Sequence, residues 1–114
     1  HMEVVKAHGN THRIKLDDLP PIGGLRPCAN IMFDSLAKTD YDEIICIVLT
    51  GMGADGTNGI LSLNRTKPIH VIAQDAQTCV VYGMPRAIAE AGMVDEVVPL
   101  TAVAKTIIKN VGVK

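Results

Sequence analysis

A glycine-rich stretch near the middle of the sequence carries the residues best suited to chemistry. It runs Thr50-Gly51-Met52-Gly53-Ala54-Asp55-Gly56-Thr57. Its three glycines let a backbone turn tightly and approach a substrate closely. An acid on such a turn, here Asp55, is suited to hold a histidine in one tautomer and to stabilise its imidazolium during acyl transfer. Flanking backbone N–H groups are suited to bind an oxyanion. Acyl transfer is therefore one chemistry that this stretch indicates.

The same stretch allows two other interpretations. Gly51, Gly53 and Gly56 match the G-x-G-x-x-G spacing of dinucleotide-binding turns, and Asp75 follows the next apolar run, where a ribose-binding acid is expected. Against nucleotide binding, the carboxylate of Asp55 would repel the pyrophosphate that a helix N-terminus attracts. The remaining interpretation makes Asp55 only a helix N-cap or an Asx-turn residue.

Apolar runs alternate with helical patterns on both sides of this stretch. The continuous apolar run 44–49 predicts a strand buried on both faces, as in the centre of a parallel sheet. Further strands are predicted at 69–73 and 94–98, and helices at 27–38, after 57, after 85 and after 101, with an antiparallel hairpin formed by 3–7 and 13–16. We therefore predict an α/β fold, a partial doubly wound and mostly parallel sheet with helices on both faces after an N-terminal β-hairpin. The stretch 50–56 lies at the carboxyl end of a strand, where such sheets bind ligands.

Local signals place the ends of these helices. Thr57 or Asn58 is predicted to cap the second helix, and Thr101 is predicted to cap the last one. Pro85 suits the first turn of the third helix, and Gly92 is predicted to form its C-cap.

Composition narrows the class of protein. The 114 residues are 47% hydrophobic but only 3% aromatic, which predicts an aliphatic core, and the net charge of -1 does not indicate nucleic-acid binding. No apolar run approaches the length of a membrane span, so membrane insertion is not expected. The unpaired spacing of Cys28, Cys46 and Cys79 predicts reduced thiols in the cytoplasm, with Cys46 in the core. His1 and Met2 are interpreted as a cloning remnant, so the domain is assigned to residues 3–114.

Four segments resemble one known family, the chemotaxis protein-glutamate methylesterases (CheB). The first three are Ile47-Val48-Leu49-Thr50-Gly51-Met52-Gly53-Ala54-Asp55-Gly56, Ile72-Ala73-Gln74-Asp75-Ala76-Gln77-Thr78-Cys79-Val80-Val81-Tyr82-Gly83-Met84-Pro85-Arg86-Ala87 and Val94-Asp95-Glu96-Val97-Val98-Pro99-Leu100. The fourth, residues 24–33, resembles a family segment that usually has Ser and Asp near the positions of Cys28 and Asn30. The similarity covers nearly the whole chain in the right order.

The resemblance implies a doubly wound α/β domain that uses a Ser-His-Asp triad without cofactor or metal. Such an enzyme hydrolyses glutamyl methyl esters on chemoreceptors, releases methanol, and also deamidates certain receptor glutamines. Asp55 matches the triad acid, and Met52 matches a methionine whose backbone N–H contacts the oxyanion. Gly53 and Arg86 are assigned to substrate or receptor contact, with a solvated charge as the alternative for Arg86.

The sequence departs from the family in one large respect, because the segments that carry the serine and the histidine are not among its residues. Ser35 and Ser62 fall in helical patterns without the strand-to-turn context of an activated serine. We therefore expect a fragment that is inactive alone, with an open sheet edge that favours homo-oligomers. The resemblance also implies a receiver domain in the parent protein. A nucleotide-binding module and a non-catalytic receptor-interaction domain remain the alternative functions.

Overall fold

An antiparallel hairpin opens the chain in a computed structural model that describes residues 1–112. Strand β1 (Met2–Lys6) pairs with β2 (His12–Leu16), and Val4 lies opposite Ile14. The alternating pattern thus predicted the hairpin correctly. The chain divides into two compact units, the first formed by residues 1–43 and 55–68 and the second by 44–54 and the described residues from 69 onward.

The first two residues are part of the fold. His1 is buried, and its Nδ1 accepts the backbone N–H of Cys28 at 3.1 Å. Its Nε2 lies 2.9 Å from the carbonyl oxygen of Pro20, so the ring takes the neutral tautomer that carries its proton on Nε2. Met2 begins strand β1. Both residues thus make ordered contacts, and their origin in cloning and the domain bounds 3–114 stay predictions.

Two short helices complete the first unit. Helix α1 (Ala29–Leu36) and helix α2 (Thr57–Asn64) meet at Gly59, where an added Cβ would lie 2.8 Å from the Phe33 Cβ. Their buried apolar side chains are Phe33, Leu36, Ile60 and Leu63. The capping prediction for α2 was wrong, because its N-cap is Gly56 and Thr57 is already helical. Gly56 has a φ of 98°, a left-handed conformation that favours glycine at this position.

The second unit is built on a parallel sheet, as predicted. Strand β4 (Ile69–Gln74) lies between β3 (Ile44–Val48) and β5 (Glu96–Val98), and both neighbours run parallel to it. The unit also contains α3 (Met84–Glu90), a 3-10 turn (Leu100–Ala102) and α4 (Val103–Val111). Cys46 is buried in β3, and this burial raises the pKa of its thiol to about 11. It is a core residue, as the sequence indicated.

Only some of the helix ends that were predicted for the second unit agree with the structure. Pro85 lies in the first turn of α3, as predicted. The C-cap of α3 is Ala91 rather than Gly92, but Gly92 follows it with a φ of 75°, the conformation in which glycine ends many helices. Thr101 lies inside the 3-10 turn and Ala102 is the N-cap of α4, so the prediction that Thr101 caps α4 was wrong.

A surface carboxylate links β5 to α4 in the second unit. Glu96 accepts hydrogen bonds from Lys109 Nζ at 2.7 Å, His70 Nε2 at 2.7 Å and Asn110 Nδ2 at 2.8 Å. These bonds, that from Lys109 most of all, lower the pKa of Glu96 from 4.5 to about 2. A carboxyl group whose pKa is lower in the folded state stabilises the fold above its ordinary pKa and loses that effect as the pH falls.

We therefore expect Glu96→Gln to lower the thermal midpoint of the protein by a few degrees at pH 7. This difference from wild type should shrink as the pH falls from 4.5 towards 2, because wild-type Glu96 then becomes protonated. Thermal unfolding followed by circular dichroism across this range measures both midpoints. The control is Glu90→Gln, which removes an exposed pair with Arg86 and should change little. A difference that stays constant with pH would contradict the assignment.

Candidate functional site

The carboxylate of Asp55 lies at the start of a helix other than the one that follows it in sequence. Its Oδ2 accepts the backbone N–H of Ala29 at 2.7 Å, and its Oδ1 accepts that of Asn30 at 3.2 Å. The Cys28 thiol donates to the same Oδ1 at 3.4 Å. The first N–H groups of a helix have no partner within the helix, and its N-terminus favours negative charge. Asp55 therefore caps α1, as the helix-cap interpretation predicted, although the capped helix is not the one that follows it in sequence.

A cavity of about 240 Å³ adjoins this carboxylate within the first unit. It is lined by Met2, Pro27, Cys28, Ala29, Met32 and Asp55. The side chains of Met2, Pro27 and Met32 are apolar, and low polarity strengthens a hydrogen bond made to a carboxylate. The cavity is large enough for a ring-shaped side chain. The arrangement is thus suited to receive a hydrogen-bond donor at Asp55.

Asn30 contributes a second set of contacts that the sequence did not reveal. Its side-chain Oδ1 accepts the backbone N–H of Gly56 at 3.0 Å and that of Gly59 at 2.8 Å, so it caps the start of α2. Asp55 caps α1 while Asn30 caps α2, and each helix therefore receives its cap from the other segment. The family resemblance marked position 30 as unusual, but no local pattern indicates a cap donated across two helices.

Met52 lies in a loop of the second unit whose backbone is held from both sides. Just before it, the N–H of Gly51 donates to the Val81 carbonyl at 3.0 Å. The Gly51 carbonyl accepts the N–H groups of Gly83 at 3.0 Å and Met84 at 2.8 Å. Met52 is 84% exposed, and within residues 44–54 and 69–112 its N–H makes no hydrogen bond. The geometry leaves this N–H available to an external oxygen.

Close packing between two loops fixes the same backbone. A Cβ added at Gly83 would lie 2.7 Å from the Gly51 carbonyl oxygen and 2.9 Å from the Gly53 nitrogen. Gly53 has a φ of 84°, which most other residues avoid. No role was predicted for Gly83 from the sequence, where its only signal is a glycine in a loop. The structure shows that this glycine sets how closely the two loops approach.

The other predicted contact residues have local partners. Arg86 is exposed and pairs with Glu90 at 2.8 Å, and this hydrogen bond raises the pKa of the guanidinium above its ordinary value. Asp75 Oδ1 accepts the Thr78 N–H at 3.0 Å and so orders its own loop. Burial and the charge of Asp75 raise the pKa of Cys79, which disfavours a reactive thiolate there.

These contacts weaken the nucleotide interpretation. Pyrophosphate binding would use the free N–H groups at the start of α2, but the Asn30 side chain already accepts two of them. The acid expected to bind ribose, Asp75, is engaged by Thr78.

The predicted site residues fall in both units. Asp55 lies in the first unit, whereas Met52, Gly53 and Arg86 lie in the second. Within residues 1–112 no group of three or more His, Cys, Asp or Glu side chains is arranged to hold a metal ion. No helix among the same residues has the length and apolar character needed to cross a membrane.

Comparison with known proteins identifies the family. A model of the CheB methylesterase family matches residues 1–107. The chain is 39% identical over 109 residues to a protein-glutamate methylesterase/protein-glutamine glutaminase of Geobacillus kaustophilus, covering 96% of this chain and 31% of the relative. For a protein of the same name from Clostridium acetobutylicum the identity is 45% over 111 residues, covering 97% of this chain and 31% of the relative.

The fold agrees with a solved structure of the same family. The CheB methylesterase catalytic domain of Thermotoga maritima superposes with a TM-score of 0.85 at 34% identity, covering 96% of this chain and 57% of that one. The chain spans about a third of the length of the curated relatives that it matches. It belongs to the CheB methylesterase family.

Proposed function

We propose that this chain supplies the acid and an oxyanion donor of a cytoplasmic protein-glutamate methylesterase that also deamidates glutamine on methyl-accepting chemoreceptors. The observation that carries this proposal is the Asp55 carboxylate, which is held by two backbone N–H groups beside a largely apolar cavity. Relatives that are about 40% identical bear the names of both activities. Because the chain spans only part of those relatives, the serine and the histidine are assigned to the rest of the parent enzyme.

Asp55 would act by orienting the histidine. The bonds from Ala29 and Asn30 fix the carboxylate in one rotamer. A histidine that donates its Nδ1–H to this carboxylate has Nε2 free to take the proton of the serine hydroxyl. The serine oxygen then attacks the ester carbonyl, and the imidazolium returns the proton to the departing methanol. Water hydrolyses the acyl-enzyme by the same route.

Met52 would stabilise the tetrahedral intermediate. Its backbone N–H makes no hydrogen bond within its unit, and the Gly51 carbonyl of the same peptide group is held by the N–H groups of Gly83 and Met84. A donor fixed in advance needs no reorganisation when the oxyanion forms. Gly53 and Arg86 are proposed to contact the receptor, and the exposed side chain of Arg86 is compatible with an acidic partner.

Two further partners are proposed. A receiver domain in the parent protein would control access to the site. Isolated copies of the chain are expected to associate, which the exposed apolar side chains of Leu16 (73% exposed) and Val80 (91% exposed) support.

The proposal is tested by product release. The full-length parent enzyme is expected to release methanol from methylated chemoreceptor and ammonia from its glutamine form, whereas the purified chain is expected to release neither. The reason is that an acid without its nucleophile and base does not perform acyl transfer. Methanol and ammonia are quantified by coupled enzymatic assays. An inactive parent would favour a non-catalytic receptor-interaction domain, and methanol release by the chain alone would refute the division of the triad.

A further inference from the structure

We propose that Asn30 is a positioning residue for Asp55, an inference that rests on the proposed role of Asp55 as the catalytic acid. Asn30 makes two hydrogen bonds at this acid, one to the Asp55 carboxylate and one to the backbone of the next residue. The backbone N–H of Asn30 donates to Asp55 Oδ1, while its side-chain oxygen accepts the N–H of Gly56, the residue that follows Asp55. The carboxylate and the adjoining peptide are therefore both bound to Asn30.

The oxygen of the Asn30 carboxamide has little freedom to move. Both of its partners, Gly56 and Gly59, are N–H donors, so the oxygen and not the nitrogen must face them. A Cβ at Gly59 would lie 2.9 Å from the Asn30 Cα, and this close approach fixes where α1 passes the start of α2. Removal of the side-chain oxygen leaves two N–H groups without an acceptor in a space too tight for simple rearrangement.

Loss of the Asn30 side-chain oxygen would affect the position of Asp55 through the turn at Gly56. Gly56 holds a φ of 98°, and its N–H bond to Asn30 anchors this turn to α1 in addition to the two bonds that the Asp55 carboxylate accepts. Without the bond, the peptide between Asp55 and Gly56 is held less firmly. The carboxylate then samples more orientations, and the histidine that it holds is oriented less often for proton transfer.

The charge of the residue at position 30 also matters. A carboxamide accepts both N–H groups without adding a second negative charge beside Asp55. An aspartate would accept the same two bonds more strongly. It would also repel the Asp55 carboxylate. Asn30→Asp thus keeps both positioning contacts, and the repulsion of Asp55 is the reason that its kcat should stay a few-fold below that of wild type.

The experiment is a double-mutant cycle in the full-length enzyme with methylated receptor as substrate. We expect Asn30→Ala to lower kcat by about 10²-fold with little change in KM, since misplacement of a catalytic group has this scale of effect. Asn30→Asp should restore kcat to within a few-fold of wild type. In an Asp55→Asn background, Asn30→Ala should lower kcat hardly further, because the positioned group is already lost.

Ser35→Ala is the matched control. Ser35 lies on the same helix, and its Oγ likewise accepts a backbone N–H, that of Val4 at 2.9 Å. Its replacement should lower the thermal midpoint but leave kcat unchanged. If Asn30→Ala does not fold, Asn30→Ser, which keeps a shorter acceptor, takes its place under the same criteria.

Three results would overturn the inference or its basis. A kcat for Asn30→Ala that matches Ser35→Ala would refute positioning while Asp55 keeps its role. A further fall of kcat in the Asp55→Asn background, equal to the fall seen alone, would also refute it. Near-normal activity of Asp55→Asn itself would instead refute the proposed function, so the two failures are distinguishable.

Discussion

Replacement of Asp55 by asparagine in the full-length enzyme is expected to lower kcat by about 10⁴-fold, because an amide favours the wrong histidine tautomer. An asparagine at position 55 has a single acceptor oxygen, whereas the carboxylate serves Ala29 and Asn30 with different oxygens. Its NH₂ group takes the place of one of these oxygens, so one of the two bonds to α1 is lost and a donor stands where the carboxylate accepted. A histidine would then meet a donor and would have to turn its own acceptor nitrogen towards it.

Asp55→Asn should lose activity but remain folded. An asparagine keeps only one of the two bonds to α1, so the thermal midpoint should fall by a few degrees while the protein stays folded. The control is Asp75→Asn, which alters a carboxylate that binds only within its own loop and should retain normal methanol release. Rates are measured with methylated receptor in excess. Near-normal kcat for Asp55→Asn would leave Asp55 as a cap of α1 and nothing more.

Gly83→Ala is expected to lower kcat by about 10²- to 10³-fold, the cost of losing one oxyanion donor. The new Cβ would meet the Gly51 carbonyl oxygen at 2.7 Å and the Gly53 nitrogen at 2.9 Å. Both are backbone atoms, so the loops must separate. The separation breaks the bonds from Gly83 and Met84 to the Gly51 carbonyl and displaces the Met52 N–H.

The stability and the kcat of Gly83→Ala are compared with those of a second glycine variant. Overpacking of this kind costs about 1–3 kcal/mol, so the thermal midpoint of Gly83→Ala should also fall. Gly92→Ala is the control at the other end of α3. Its Cβ enters open space but strains a residue with a φ of 75°, so stability should fall without loss of kcat. Reduced stability with normal kcat in Gly83→Ala would show that the loop contact does not set the donor.

The periodic features of the fold could be predicted from the sequence. The apolar run 44–49 became β3, and the hairpin and the parallel pairing followed from alternation and from strand–helix order. These features depend on side-chain pattern over a few neighbouring residues, which sequence displays directly. The same holds for Pro85, whose fixed φ suits a first turn.

Helix starts were predicted less well because their caps come from distant residues. Rules for N-caps consider the side chain next to the helix, and they favoured Thr57 over Gly56. In the structure Asn30 supplies the acceptor, so the N-cap needs no side chain and Gly56 can take a left-handed φ. The sequence likewise contains no pattern to indicate that Asp55 caps α1. For this reason Asp55 could be singled out from the sequence, but its contacts could not.

Because α1 and α2 cap each other, the first turns of both helices should open together and expose their amide protons to solvent at the same time. If α2 frays, the N–H groups of Ala29 and Asn30 lose Asp55 as their acceptor, and if α1 frays, those of Gly56 and Gly59 lose Asn30. Segments coupled in this way exchange their amide hydrogens with solvent as one cooperative unit. The acid would then be fully assembled or fully released, with no half-formed state in which one helix keeps the carboxylate in place.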